Sequence, residues 1–190
     1  MQKFKDERFV TNELAADERG TVGWKITRAA YDKEAEKEEI LYSEEVLAML
    51  LAYVKYLAEK QAGGSVRDCV ITIPSWFSYD QRLMVKDAAE NLAGLNVLQL
   101  VHENTAAATM FGIDQKLEED KNLTVMFYNM GGMDTEVSIV QYSLVTISEK
   151  KSSPHIRVLG EASLKDLGSR DLDTIIVNLL AQKFNALPER

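Results

Sequence analysis

The sequence predicts an α/β fold, and three observations carry that prediction. Residues 69–73 are short, apolar and β-branched, residues 79–93 are amphipathic, and residues 96–101 are again strand-like, which together make a strand, helix, strand unit closed by Gly94. Residues 123–128 and 136–147 are two strand-like runs joined by 129–135, with residues 156–160 as a third across the turn residues 149–154, an antiparallel meander. Helical periodicity then bounds these regions on both sides.

Taken in order, the first forty residues hold a strand-like stretch at 21–27 and a charged run at 32–39 that reads as a solvated loop or turn in a loop-rich peripheral part. Ser43 is placed as an N-cap with Glu44 and Glu45 in the first turn. Val46, Leu47, Leu50, Tyr53, Val54 and Leu57 recur at helical spacing, and Gly63 and Gly64 stop the helix. Residues 104–111 are small and alanine-rich, a helix ending at Gly112 with Glu103 at its N-terminus. A polar run at 114–121 separates this from the meander. Leu172, Ile175, Ile176, Leu179, Leu180 and Phe184 then share one face of a final helix that begins near Asp171.

Composition limits the function classes. The 190 residues are 46% hydrophobic, enough to bury one large domain or two small ones. Acidic residues outnumber basic ones by 30 to 22, the formal net charge is −8, and no basic cluster is interleaved with aromatics, so a nucleic-acid partner is not expected. No apolar run approaches the roughly 20 residues of a bilayer span, and charges stand where a leader peptide has its apolar core, so neither membrane nor secretion is read from these residues. Cys69 has only His102 and His155 as companions, so metal-ligand spacing is absent, and Cys69 is expected to fill a buried strand position.

Among residues able to carry chemistry, Gly131 and Gly132 form a turn whose amides can wrap phosphate oxygens, because glycine permits positive φ and close main-chain approach. Taken alone, the pair is more simply read as an ordinary hairpin turn, since adjacent glycines are common in turns. Glu103 can orient water on a bound Mg²⁺, or just stabilise a helix N-terminus. Pro74 and Arg82 taken singly are punctuation and a surface charge.

The joint order of these features resembles one family. Residues 70–116, from Val-Ile-Thr-Ile-Pro through Glu-Asn-Thr-Ala-Ala-Ala, are similar to the corresponding stretch of heat-shock-70 chaperones. Residues 128–140 resemble their phosphate hairpin, Asp-Leu-Gly-Gly-Gly-Thr, and residues 160–173 resemble a later Leu-Gly-Gly-Glu-Asp-Phe-Asp segment. The RGTV stretch at 19–22, SEEVLAML from Ser43, Glu103-Asn104-Thr105-Ala106 and VMFYNMG ending at Gly131 look most like the large endoplasmic-reticulum branch.

The resemblance implies a partial actin-like ATPase fold, the end of the first lobe plus the start of the second. Residues 1–65 would be a peripheral part of lobe I, 66–121 its α/β core, and 122–190 the start of lobe II. It implies ATP or ADP with Mg in the complete domain, and none held by this segment, since a first phosphate loop, a catalytic lysine and most of the adenosine pocket have no counterpart in it. Gly131 and Gly132 match hairpin glycines, Glu103 the acid that orients Mg²⁺ and water, and Pro74 and Arg82 the residues that couple nucleotide state to the rest of a chaperone.

The departures imply weak or lost hydrolysis. Asn129 stands at the catalytic Asp position, Met133 at the third Gly, Asp134 at a phosphate-contacting Thr, and Asn104 at a Pro. An amide accepts no proton from water, and a carboxylate at Asp134 repels a γ-phosphate. The implied role is protein folding and nucleotide exchange on a 70-kilodalton chaperone of the same compartment, with unfolded clients held through other regions. The endoplasmic-reticulum lumen is the implied location, where Asn122-Leu123-Thr124 would be a glycosylation sequon. An active 70-kilodalton ATPase chaperone and a cytoplasmic large exchange-factor relative are the alternatives. An actin-like sugar kinase fits less well, because the likeness runs through helices that a shared hairpin does not require.

Overall fold

The computed structural model describes residues 13–18, 20–28, 37–118, 121–148 and 151–187. Their order is β1 (Leu14–Ala16), β2 (Val22–Arg28), β3 (Lys37–Tyr42), α1 (Ser43–Ala62), β4 (Asp68–Ile73), α2 (Tyr79–Asp87) continued by a π-helical turn (Ala88–Leu92), β5 (Asn96–His102), α3 (Glu103–Ile113), β6 (Leu123–Met130), β7 (Thr135–Ser148), β8 (Lys151–Leu164) and α4 (Ser169–Asn185). The strands form three sheets, β1-β2-β3, β4-β5 and β6-β7-β8. The fold is thus α/β, as the sequence predicts. The chain divides into two compact units, one of residues 1–70 and 79–99, the other of residues 71–78 and 100–190. No described helix is long and apolar enough to cross a membrane.

In the first unit β2 pairs antiparallel with both β1 and β3. Lys37, Glu38 and Glu39, expected in a solvated loop, lie in β3, where pairing with β2 uses their backbone groups and leaves Glu38 and Glu39 exposed. The remainder of that charged run, 32–36, lies outside the described residues. α1 starts at Ser43 itself, one residue earlier than a Ser43 cap would give. Tyr42 is the N-cap, and its amide donates to the Glu45 carboxylate at 2.8 Å. Gly63, with φ of 67°, ends the helix in the left-handed conformation as expected.

The helical surfaces of this unit approach through small side chains: Ala48, Ala88, Ala89 and Ala93 are buried. The predicted 79–93 helix changes pitch midway, where the Ala93 amide reaches back to Ala88 O at 2.9 Å and widens one turn. Gly94 follows at φ 66°, and its carbonyl accepts from Lys55 Nζ at 2.8 Å. Cys69 is half-buried in β4 rather than buried. Its thiol is pushed up from the ordinary range first by desolvation, then by the nearby charges of Asp68 and Glu90.

The second unit is built on the antiparallel meander β6-β7-β8. β7 and β8 each run 14 residues; β7 passes its expected limits by one residue at each end, and β8 extends well past the expected 156–160. Residues 151–154, expected in a turn, lie in β8, with Pro154 opposite Leu144. Because β8 ends the strand order, a residue without an amide N–H is tolerated there. Leu159 is an extra residue in β8, since Ile139 pairs with Gly160 but Val140 with Val158.

Buried residues Ala108, Val140 and Tyr142 form the core, with Leu117, Val125, Phe127 and Ile156 packed around them. The Tyr142 hydroxyl donates to the Ala108 carbonyl at 2.7 Å and fixes α3 on β7. Gly112, expected to end α3, lies within it. A Cβ there would come 2.7 Å from the Tyr142 ring, so this glycine permits close helix-to-sheet packing instead. The apolar stripe of α4, from Leu172 to Phe184, is exposed, Phe184 by 74%.

Candidate phosphate-type hairpin

Met130 and Thr135 are the last paired residues of β6 and β7, so Gly131–Asp134 make a four-residue loop, closed by the Gly131 amide on the Asp134 carbonyl at 2.9 Å. Neither Gly131 nor Gly132 takes a positive φ; among the described glycines only Gly20, Gly63 and Gly94 do. Their value is therefore space. The amides of Ser169 and Arg170, in the first turn of α4, donate to the carbonyls of Gly131 and Gly132 at 2.9 and 3.1 Å. The helix end thereby finds partners for amides that have none within the helix.

Gly168 makes this approach possible. A Cβ at Gly168 would lie 2.5 Å from the C and O of Gly132 and the N of Met133, all backbone atoms. Asp171 completes the junction by accepting from the Gly168 amide at 2.9 Å. Thr135 Oγ1 donates to the Leu167 carbonyl at 2.7 Å, tying β7 to the same turn.

Of the residues singled out from sequence, Glu103, Asn129, Gly131, Gly132, Met133, Asp134 and Pro74 lie in this unit, and Arg82 lies on α2 of the other. Glu103 is the first residue of α3, and its Oε2 accepts from Asn129 Nδ2 at 3.0 Å. Two carboxylates could not make this contact without a shared proton. Asn104 is buried and donates from Nδ2 to Ser138 Oγ at 3.1 Å, a second link from α3 to β7 that a proline side chain could not supply. Asp134 accepts from the Trp76 indole Nε1 at 2.8 Å, and Met133 is 40% exposed.

Three members of the cluster were not read from sequence: Ser75, Trp76 and Glu136. Glu136 is 3% exposed, and its Oε1 accepts from both the amide (2.7 Å) and the hydroxyl (2.8 Å) of Ser75, while its buried Oε2 takes no hydrogen bond. A signal for Glu136 was present. Residues 136, 138, 140 and 142 share one strand face, so an acid stands on the same side as Val140 and Tyr142, where an unpaired charge is costly. No group of three or more His, Cys, Asp or Glu among the described residues is arranged to hold a metal ion.

An α/β chain with a glycine hairpin seated on a helix N-terminus, and an acid of a neighbouring helix bonded to the strand that leads into it, falls in the actin-like ATPase class. A family model described as Hsp70 protein matches residues 5–188, and the chain belongs to that family. It is 35% identical over 184 residues to hypoxia up-regulated protein 1 of Danio rerio, covering 94% of this chain and 17% of that protein. It is 36% identical over 183 residues to the Homo sapiens protein of the same name, again covering 94% and 17%. Similarity to the heat shock 70 kDa protein of Neurospora crassa is 38% over 146 residues, 77% of this chain and 21% of that protein. The chain thus spans about a fifth of the length of these curated relatives.

The family implies an adenine nucleotide with Mg²⁺, and the residues around the glycine pair do not fit its phosphates. The Gly131 amide is already used by Asp134 O, and Asp134 Oδ1 lies 3.1 Å from where a Gly131 side chain would begin. A phosphate oxygen brought to that glycine meets a carboxylate.

Proposed function

We propose that this chain is a nucleotide-binding-domain segment of a chaperone of the large endoplasmic-reticulum heat-shock type, which assists protein folding and promotes nucleotide exchange on a 70-kilodalton partner. Its own hydrolysis is weak or lost. The observation that carries this reading is the Asn129–Glu103 hydrogen bond. It engages the acid needed to orient a metal-bound water and puts a group that cannot take a proton where general-base chemistry needs one. Membership of the Hsp70 family and similarity to hypoxia up-regulated protein 1 support the branch. ATP or ADP with Mg²⁺ would belong to the complete domain and unfolded clients to other regions.

Release of a fluorescent ADP from the lumenal 70-kilodalton chaperone, with and without the full-length protein carrying this segment, tests the exchange role. Acceleration of release with no single-turnover ATP hydrolysis by the protein itself is the expected result. Hydrolysis at the rate of an ordinary 70-kilodalton chaperone, without any effect on ADP release, would replace this reading by that of an active ATPase. Asn122 is exposed at the entry to β6, accessible to a glycan in the lumen. A glycosidase-sensitive mass on the native protein supports that compartment, and an unmodified Asn122 favours the cytoplasm.

A further inference from the structure

The hairpin's acids are held by a neighbouring segment that the family reading leaves without a role in the hairpin. Pro74 ends the run from β4, and the Phe77 amide closes a turn on its carbonyl at 3.2 Å, which sets Ser75 and Trp76 side by side. Ser75 gives two donors to one oxygen of Glu136, and the Trp76 indole gives one to Asp134. These contacts bridge 58 to 61 positions of sequence. The indole is fixed by more than its edge: Lys165 Nζ lies 5.0 Å from the ring centroid, and Phe77 meets it edge-on at 5.1 Å. Glu136 is buried, so its charge depends on the Ser75 donors for most of its stabilisation.

We propose that residues 74–76 are a strap that traps the two hairpin acids, Asp134 and Glu136, and so holds the hairpin in one conformation without a bound anion. A phosphate hairpin of bare glycines relies on its ligand to order the loop. Here the negative charges are built into the chain, and the donors that meet them come from the strap. Loop order becomes a property of the protein, set by three charge-assisted hydrogen bonds.

Amide hydrogen exchange by mass spectrometry, resolved to peptides covering 71–78 and 129–137, tests the strap in the full chain with no nucleotide present. Trp76→Phe keeps an aromatic face toward Lys165 but removes the indole N–H. It should speed exchange of the hairpin peptide about tenfold, the loss expected for one hydrogen bond to a charged group. Asp134→Ala should speed exchange of the strap peptide by a similar factor, and the double variant should be no worse than the more affected single one. Asp134→Asn retains an acceptor oxygen and should recover most of the protection, which separates loss of the bond from general loosening. Unchanged hairpin exchange in Trp76→Phe, or effects of the two single variants that simply multiply, would overturn the proposal. Should Trp76→Phe not fold, the unsubstituted protein decides: a Trp76 indole proton in rapid exchange with water overturns the strap, and a protected one upholds it. Because no nucleotide is used, the result is independent of the exchange assay above.

Discussion

Replacing Asn129 by Asp, the residue that the resemblance to heat-shock-70 chaperones implies at this position, is expected to damage the protein instead of repairing it. The substituted oxygen would stand where Nδ2 now lies, 3.0 Å from Glu103 Oε2. Two unit charges at that separation repel by about 5 kcal/mol at an effective dielectric constant near 20. Both side chains are half-buried and can turn toward water, so screening and rotation remove most of this. Adding loss of the amide-to-carboxylate bond leaves a net destabilisation of about 2 kcal/mol at neutral pH.

The effect carries a pH signature. The crowded pair in the variant binds a proton more tightly folded than unfolded, so that part of its stability is present below the ordinary carboxylate range and is lost as pH rises through the raised folded value. Urea unfolding followed by circular dichroism should therefore show a larger gap from the parent at about pH 8 than at about pH 5.5. ATP hydrolysis should stay at background unless Met133 and Asp134 are also replaced. An Asn129→Asp protein as stable as its parent at pH 8, or one that gains rapid hydrolysis alone, would refute the reasoning.

Two further predictions follow from close contacts. Gly168→Ala must push the hairpin off α4, because the new Cβ meets backbone atoms at 2.5 Å; the expected loss is about 2–3 kcal/mol in urea unfolding, from overpacking and two strained hydrogen bonds. Gly160→Ala, with nothing within 4 Å, is the control and should be close to neutral. Tyr142→Phe removes the donor to the buried Ala108 carbonyl and should cost about 1–2 kcal/mol. Burial pushes the Tyr142 phenol up, so its contribution is complete below about pH 10 and is lost as pH rises through the folded value. In a spectrophotometric titration of the seven tyrosines Tyr142 should ionise last, together with unfolding, and the Phe variant should lack that final step.

The elements were legible wherever one side-chain period dominated. The 3.6-residue stripe of α1 and the alternation in β7 placed those elements within a residue or so. β8 was largely missed because its first residues, Lys-Ser-Ser-Pro, have the composition of a turn; pairing with β7 overrides that local preference. The π-helical turn was hidden because its register depends on how buried Ala88 and Ala89 pack, which no spacing rule records. Gly168 was unreadable for a similar reason: its φ of −148° suits any residue, and only the Gly132–Met133 peptide passing against it excludes a side chain.

The hairpin's departures make sense together in a way they do not singly. A binding loop that merely decayed would leave former ligand-facing polar groups without partners, and buried orphans cost about 1–3 kcal/mol each. Here Asn129 donates to Glu103, Asp134 accepts from Trp76, and Asn104 donates to Ser138, so three of the four altered positions have acquired partners within the protein. Met133, the fourth, has an apolar side chain with no polar group to satisfy and is part-exposed. The altered residues thus tie α3, β6, β7 and the 74–76 strap to one another. Replacing any one of the paired residues removes a structural contact, so on the function proposed above hydrolysis would return only if the positions change as a set.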